Sequence, residues 1–203
     1  MAYPTRTEAE NIWRQSLELR DANPLIKLTD EYIAHTKNVA FCAEKIAEKC
    51  GLDSEKAYLL GLLHDYGKVQ KERLTGVFHG RFGYEYFLDK GYDDVARICL
   101  THSFIKNPIN KRSHNFNKDW LDWANNLLKD IEYNDYDRLI QLCDLFGEAL
   151  ELVTLDKRFG GIAKRYGLSE EQKQLLMQDA LLLKEYFDNK CGCDVYSLLG
   201  LSS

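Results

Sequence analysis

The chain has few prolines and no long apolar stretch. Its 203 residues include three prolines, so few positions lack the backbone N–H that a helix interior needs. No run of about 18 apolar residues occurs, which argues against a membrane-spanning helix. The first thirteen residues are polar and charged and lack the apolar centre of a signal peptide. We therefore expect a cytoplasmic protein with no membrane partner.

An excess of positive charge is also missing. There are 27 Lys and Arg residues against 32 Asp and Glu, a formal net charge of −5. This balance disfavours a long nucleic acid as the partner. Residues 68–118 are nevertheless basic, with ten Lys or Arg against five Asp or Glu. A basic segment in an acidic chain suits a small anionic ligand better than a long polyanion.

The six cysteines do not form a pattern typical of a disulfide scaffold or a structural zinc site. In a cytoplasmic protein we expect them to be reduced. Cys42, Cys99 and Cys143 lie in apolar helical segments, so we expect them to be buried as small apolar side chains. Cys191 and Cys193 form a single CxC pair near the end of the chain, which is weak evidence for a redox or metal site.

Strand-like alternation of apolar and polar residues is absent, and helical periodicity runs through most of the chain. We expect an all-α, single-domain helical bundle over residues 1–203, with a helical extension at about 155–190. The predicted helices cover about residues 7–20, 30–51, 53–67, 80–89, 93–103, 119–131 and 136–153, and a last one begins at Ser169. Ser169 and Gln172 have the spacing of a capping box.

Four polar side chains interrupt the apolar faces of the predicted helices. His35 lies on the apolar side of its helix, and His64 and Asp65 follow an unbroken apolar run. Asp144 interrupts another such run. Each residue alone has an ordinary structural explanation, but burying all four separately is unfavourable. One divalent cation would satisfy them together, and imidazole and carboxylate donors suit Mn, Fe, Co, Ni, Zn or Mg.

The order His35, His64-Asp65, Asp144 resembles that of the HD-domain superfamily of metal-dependent phosphohydrolases. The segment Gly-Leu-Leu-His-Asp-Tyr-Gly-Lys at residues 61–68 is similar to the HD-x-G-K segment of that superfamily. The resemblance covers about residues 28–150, the core of an HD-type bundle.

Two more histidines extend the resemblance to the two-metal branch with the order H…HD…H…H…D. His79 opens a segment similar to H-x-x-x-G, and His102 matches the next histidine. The resemblance implies that Asp65 bridges two ions, with His35, His64 and Asp144 on the first ion and His79 and His102 on the second. The alternative is one ion, with His79 and His102 lining the pocket and contacting phosphate.

Several basic residues are candidates for contacts with a substrate phosphate. The motif places Lys68 one turn beyond Asp65, and Arg81 stands beside His79. The predicted loop after His102 contributes Lys106 and Arg112. Asp137 and Glu148 lie seven residues before and four after Asp144, so they share its helix face and are candidates for proton transfer or for support of the ligands.

The resemblance implies hydrolysis of a P–O bond in a small phosphorylated metabolite, with a nucleotide as the expected substrate and Asp65 and Lys68 as catalytic residues. The chain resembles bacterial symmetric diadenosine-tetraphosphate hydrolases in part. It lacks the GYP-type extension of the cyclic-dinucleotide phosphodiesterases. Two alternatives stay open: a diiron oxygenase of the HD type, and a nucleotide-binding regulator without activity. A homodimer is also left open.

Overall fold

The computed structural model describes residues 2–22, 30–69, 79–109, 118–148 and 150–201. These segments contain ten α-helices and no β-strand, which confirms the predicted all-α helical domain. The helices are α1 (Arg6–Ala22), α2 (Asp30–Cys50), α3 (Ser54–Leu63), α4 (His79–Asp89), α5 (Asp93–Thr101), α6 (Lys118–Leu128), α7 (Asp135–Phe146), α8 (Leu155–Tyr166), α9 (Glu170–Cys191) and α10 (Val195–Leu198). A 3₁₀ turn, Tyr66–Val69, follows α3.

The core is built around α2, which packs against α3, α7 and α9. Its inward face follows helical spacing and is fully buried at Val39, Ala40, Ala43, Ile46 and Ala47. The approach of α3 to α2 is close because Gly61 has no side chain. A Cβ there would lie 2.9 Å from Cα of Ala40. The small residues of the two helices therefore set how deeply the chain segment after α3 enters the core.

Helix α3 is shorter than predicted. Asp53 caps its N-terminus by accepting a hydrogen bond from the backbone of Lys56. The helix ends at Leu63 rather than near Gly67, and His64 and Asp65 lie in the turn that precedes the 3₁₀ segment. Because the helix stops there, two consecutive polar residues both point into the interior, where they are at most 1% exposed.

Helix α7 also differs from its prediction. A capping box formed by Asn134 and Asp137 starts it, but it ends at Phe146 instead of continuing to residue 153. Gly147 then pairs with Leu152 in an isolated antiparallel bridge, which reverses the chain. A Cβ at Gly147 would lie 2.7 Å from Cγ2 of Val39, so the packing on α2 requires glycine here.

The reversal leads into α8, a separate helix that the sequence pattern did not resolve. Lys164 and Arg165 stand in its last turn, and Gly167 ends it in the left-handed conformation. The predicted capping box of Ser169 and Gln172 then begins α9. Cys42, Cys99 and Cys143 are buried, as expected. None of the described helices combines the length and apolar character needed to cross a membrane.

Candidate metal centre

Six of the predicted site residues meet at one place although they come from five parts of the chain. Helices α2, α3, α4, α5 and α7 each deliver one or two of them. They are His35 on α2, His64 and Asp65 after α3, His79 at the start of α4, His102 after α5, and Asp144 on α7.

Four donor atoms form the first cluster. Nε2 of His35 lies 3.2 Å from Nε2 of His64 and 3.1 Å from Oδ1 of Asp144. Nε2 of His64 lies 3.7 Å from the same Asp144 oxygen. Oδ2 of Asp65 completes the set, 3.4 Å from His35 and 3.5 Å from His64.

The other oxygen of Asp65 belongs to a second cluster. Its Oδ1 lies 2.9 Å from Nε2 of His79 and 3.6 Å from Nε2 of His102. The two histidine nitrogens are 3.2 Å apart. The carboxylate of Asp65 thus presents one oxygen to each cluster.

Three of the four histidine rings are oriented by backbone carbonyls. Their Nδ1 atoms donate to carbonyl oxygens: His35 to Gly147, His64 to Gly61 at 2.7 Å, and His102 to Ile98 at 2.9 Å. A carbonyl can only accept a hydrogen bond, so Nδ1 carries the hydrogen and a neutral ring presents its lone pair at Nε2. This is the usual arrangement around a metal-binding histidine.

The residues present fit a divalent cation. Donors about 2.0–2.2 Å from a shared ion are about 3–3.6 Å from one another, and the distances within both clusters span this range. Among the described residues nothing donates a hydrogen bond to Oδ1 of Asp65, whose 2.9 Å contact with His79 lacks hydrogen-bond geometry. A buried carboxylate oxygen of this kind requires a positive partner.

The surroundings favour ionised carboxylates and act in opposite directions on His35 and His79. Burial opposes ionisation of Asp65, but the Lys68 ammonium and the neighbouring imidazoles hold its pKa well below the usual range. Burial also opposes protonation of His35, yet hydrogen bonds and charges from Asp144 and Asp65 raise its pKa to about 9. Burial lowers the pKa of His79 to about 4. At neutral pH the two histidines therefore differ in protonation.

Polar side chains of α7 are bonded to the end of α5. Asp137 of α7 accepts hydrogen bonds from Oγ1 of Thr101 at 2.8 Å and from Arg97. One turn later, Gln141 donates to the carbonyls of Thr101 and Phe104 at 3.0 and 2.8 Å. These bonds tie the end of α5, where His102 stands, to the helix that carries Asp144. The sequence offered Asp137 for support of the ligands or for proton transfer, and its bonds to Thr101 and Arg97 are consistent with the first of these roles. Nothing in the sequence pattern singled out Gln141.

The predicted phosphate contacts divide into three groups. Lys68 lies at the centre, where its Nζ donates to Oδ2 of Asp65. Arg81 pairs with Glu85 at 2.8 Å, and Lys106 pairs with Asp179 at 2.5 Å. Neither pairing joins the clusters, and their contact with substrate stays a prediction. Arg112 lies outside the described residues.

Comparison with known proteins identifies the family of the chain. A family model described as the HD domain matches residues 32–147, more than half of the chain. The chain therefore belongs to the HD domain family, whose members are generally metal-dependent hydrolases.

Among curated proteins, the chain is 30% identical over 104 residues to Ribonuclease Y of Aquifex aeolicus (strain VF5). This match covers 46% of the chain and 18% of that protein, so the chain spans only a small part of its relative. No solved structure matches the chain.

Proposed function

We propose that the protein is a metal-dependent phosphohydrolase that cleaves a P–O bond of a small phosphorylated metabolite, with nucleotides as the expected class. The observation that carries the proposal is the position of Asp65, whose Oδ2 lies near Nε2 of His35 and His64 and whose Oδ1 lies near Nε2 of His79 and His102. A carboxylate shared in this way is suited to two neighbouring ions in a hydrolytic site.

The ligand assignment follows the two clusters. His35, His64 and Asp144 with one oxygen of Asp65 would hold the first ion, and His79 and His102 with the other oxygen the second. A divalent ion in such a site lowers the pKa of water and polarises a phosphoryl oxygen.

Backbone and side-chain groups of the protein orient the proposed ligands and the Lys68 ammonium. Backbone carbonyls hold the histidine rings so that Nε2 faces the cluster, and burial strengthens each charge interaction there. The Lys68 ammonium, already beside Asp65, is placed to neutralise a phosphate oxygen that approaches this carboxylate.

The substrate class rests on weaker support. The net charge of −5 argues against a long polyanion, and the basic segment 68–118 favours a small anion. The relative is by its name a ribonuclease, and RNA cleavage also breaks a P–O bond. A cytoplasmic location is part of this proposal.

The test is metal analysis combined with phosphate release. Protein purified without chelator is analysed for metal and assayed without O₂ on a panel of mononucleotides and diadenosine tetraphosphate. We expect two ions per chain and turnover that Asp65→Ala abolishes. The matched control is Asp122→Ala, which removes an exposed carboxylate of α6 and leaves both readouts unchanged.

Three outcomes would contradict the proposal in different ways. One ion with full turnover removes the two-metal assignment. Turnover that requires O₂ favours the diiron oxygenase. Metal-loaded protein that binds nucleotides but releases no phosphate favours the regulator.

A further inference from the structure

Two arginines of α8 converge on one carboxylate outside the metal centre. Arg158 and Arg165 are two helical turns apart and lie on the same face of the helix. Nη1 of Arg158 and Nη2 of Arg165 are each 3.9 Å from Oε1 of Glu148. This distance allows attraction between charges but is too long for a hydrogen bond. The guanidinium groups therefore face Glu148 without using their hydrogen-bonding capacity on it.

Arg158 in particular is short of partners. Its side chain is 15% exposed, and among the described residues nothing accepts a hydrogen bond from its buried Nε. Buried donors in folded proteins are nearly always paired. An anion that accepts from this guanidinium would remove the deficit, and a phosphate offers several acceptor oxygens in a geometry that matches the planar fork of arginine.

The helix surface between the arginines carries no side chain of its own. Gly161 lies between them on the same face, and the carboxylate of Glu148 lies against it, since a Cβ there would come within 3.4 Å of Oε1 of Glu148. The neighbouring Gly160 is exposed and lies off this face. A glycine weakens a helix interior, but Gly161 lets an anionic group approach the backbone between the guanidiniums.

This surface is joined to the first metal cluster through the backbone. Glu148 directly follows Gly147, whose carbonyl accepts a hydrogen bond from the His35 ring. Asn38, one turn beyond His35 on α2, donates to the carbonyl of Glu148 at 3.2 Å. The arginine pair is therefore attached to the same segment that orients a predicted ligand.

We propose that Arg158 and Arg165 form a phosphate-binding pair that holds a phosphate group of the substrate beside the metal centre. This inference rests on the proposed phosphohydrolase function and names two substrate-binding residues beyond the family-matched segment 32–147. Two guanidiniums face one carboxylate, so the surface keeps a net positive charge. An incoming phosphate displaces the carboxylate of Glu148.

The test is calorimetric titration of the chelator-treated protein with inorganic phosphate. We expect Arg165→Gln to weaken phosphate binding about tenfold, the loss typical of a charge-assisted hydrogen bond. Glu148→Gln tightens binding severalfold, because the competing carboxylate is gone. Lys164→Gln is the matched control, since it removes the same charge from the neighbouring exposed position of α8 and changes the affinity less than twofold.

Arg158→Lys is a second, conservative variant. It keeps the positive charge of a mostly buried side chain but removes the bidentate guanidinium. We expect an intermediate affinity, and a thermal melt checks that the variant is folded. Arg165 is 58% exposed, so Arg165→Gln tests the proposal without this risk.

Wild-type phosphate affinity in both Arg165→Gln and Glu148→Gln would overturn the inference. This measurement needs neither metal nor turnover. Loss of the arginine-pair proposal would therefore leave the hydrolase proposal intact, and loss of the hydrolase proposal would leave the phosphate-binding result intact. With any substrate of the nucleotide panel that turns over, Arg165→Gln raises KM and leaves kcat within about threefold. An unchanged KM with weakened phosphate binding would overturn the assignment to the substrate.

Discussion

The two donor clusters around Asp65 differ in how completely the chain surrounds a cation. The first offers four atoms, from His35, His64, Asp144 and Oδ2 of Asp65. The second offers three, from His79, His102 and Oδ1 of Asp65. With fewer protein donors, the second position keeps more coordination sites for water and substrate.

The helices behind the clusters also differ. The first cluster stands on α2, α3 and α7, which pack against one another in the core. In the second, His79 is the first residue of α4, and its position depends on the contact of Gly67 with the start of that helix. We therefore expect the first cluster to bind an ion more tightly and the second to be more easily perturbed.

The largest expected effect comes from removing one histidine from each cluster. We expect His35→Ala to lose the tighter ion and all turnover, and His79→Ala to lose turnover but retain one ion per chain. Affinity at the altered cluster should fall more than about a hundredfold, because changes outside the ligands already reduce it 10–100-fold. Metal analysis after gel filtration measures this. Equal metal loss in both variants would show that the six side chains act as one site.

A smaller effect is expected from Gly67→Ala, at the contact between the 3₁₀ turn and the start of α4. The new Cβ would overlap the carbonyl oxygen of His79, so the start of α4 must move. We expect destabilisation of about 1–3 kcal/mol, as in other overpacked sites, and loss of the second ion with the first retained. Urea unfolding and metal analysis report the two effects. Retention of both ions would contradict the positioning role of this contact.

Proton release should also distinguish the clusters. With its pKa raised to about 9, His35 is protonated at neutral pH, and that proton must leave when Nε2 binds a cation. His79, with its pKa lowered to about 4, has none to lose. Affinity for the first ion should therefore rise about tenfold per pH unit from pH 6 to 8.5, as one released proton requires, and His79 should add no such dependence to the second. Calorimetry in buffers of different ionisation enthalpy counts the protons. Equal proton release on binding of the first and the second ion would contradict this difference between the clusters.

The smallest effect is expected from Gly160→Ala on α8, a helix that carries none of the predicted metal ligands. A Cβ at this exposed helical position meets nothing within 4 Å. Alanine should stabilise the protein by about 0.5–1 kcal/mol through its higher helix propensity. Thermal unfolding measures the gain, and metal content should equal that of the wild type. Destabilisation would mean that α8 does not continue through this glycine pair.

Local sequence patterns predicted most helices and the location of the centre. His64 and Asp65 stood out because an ionisable pair follows an apolar run, and Asp144 because it interrupts another. His79 and His102 were found through family resemblance rather than periodicity. For His64, Asp65 and Asp144 the chemical character of the residue conflicts with its apolar surroundings, and this conflict is visible without a structure.

Features that depend on distant residues were not predictable in this way. The end of α7 at Phe146 depends on the packing of Gly147 against Val39, more than a hundred residues earlier. The pairing of Lys106 with Asp179 likewise joins remote segments. Glu148 was assigned to the face of Asp144 by continuing the helix, whereas the chain has already left the helix at that residue.

The chain reversal at Gly147 and Leu152 separates the predicted metal ligands from the proposed phosphate-binding arginines along the sequence. Every predicted metal ligand lies before the reversal, and the arginine pair lies after it. Substitutions in α8 can therefore alter which phosphorylated compound is accepted while the residues proposed to carry out the hydrolysis stay the same. An HD domain joined to a different following helix would then be a catalyst of the same reaction with another substrate preference.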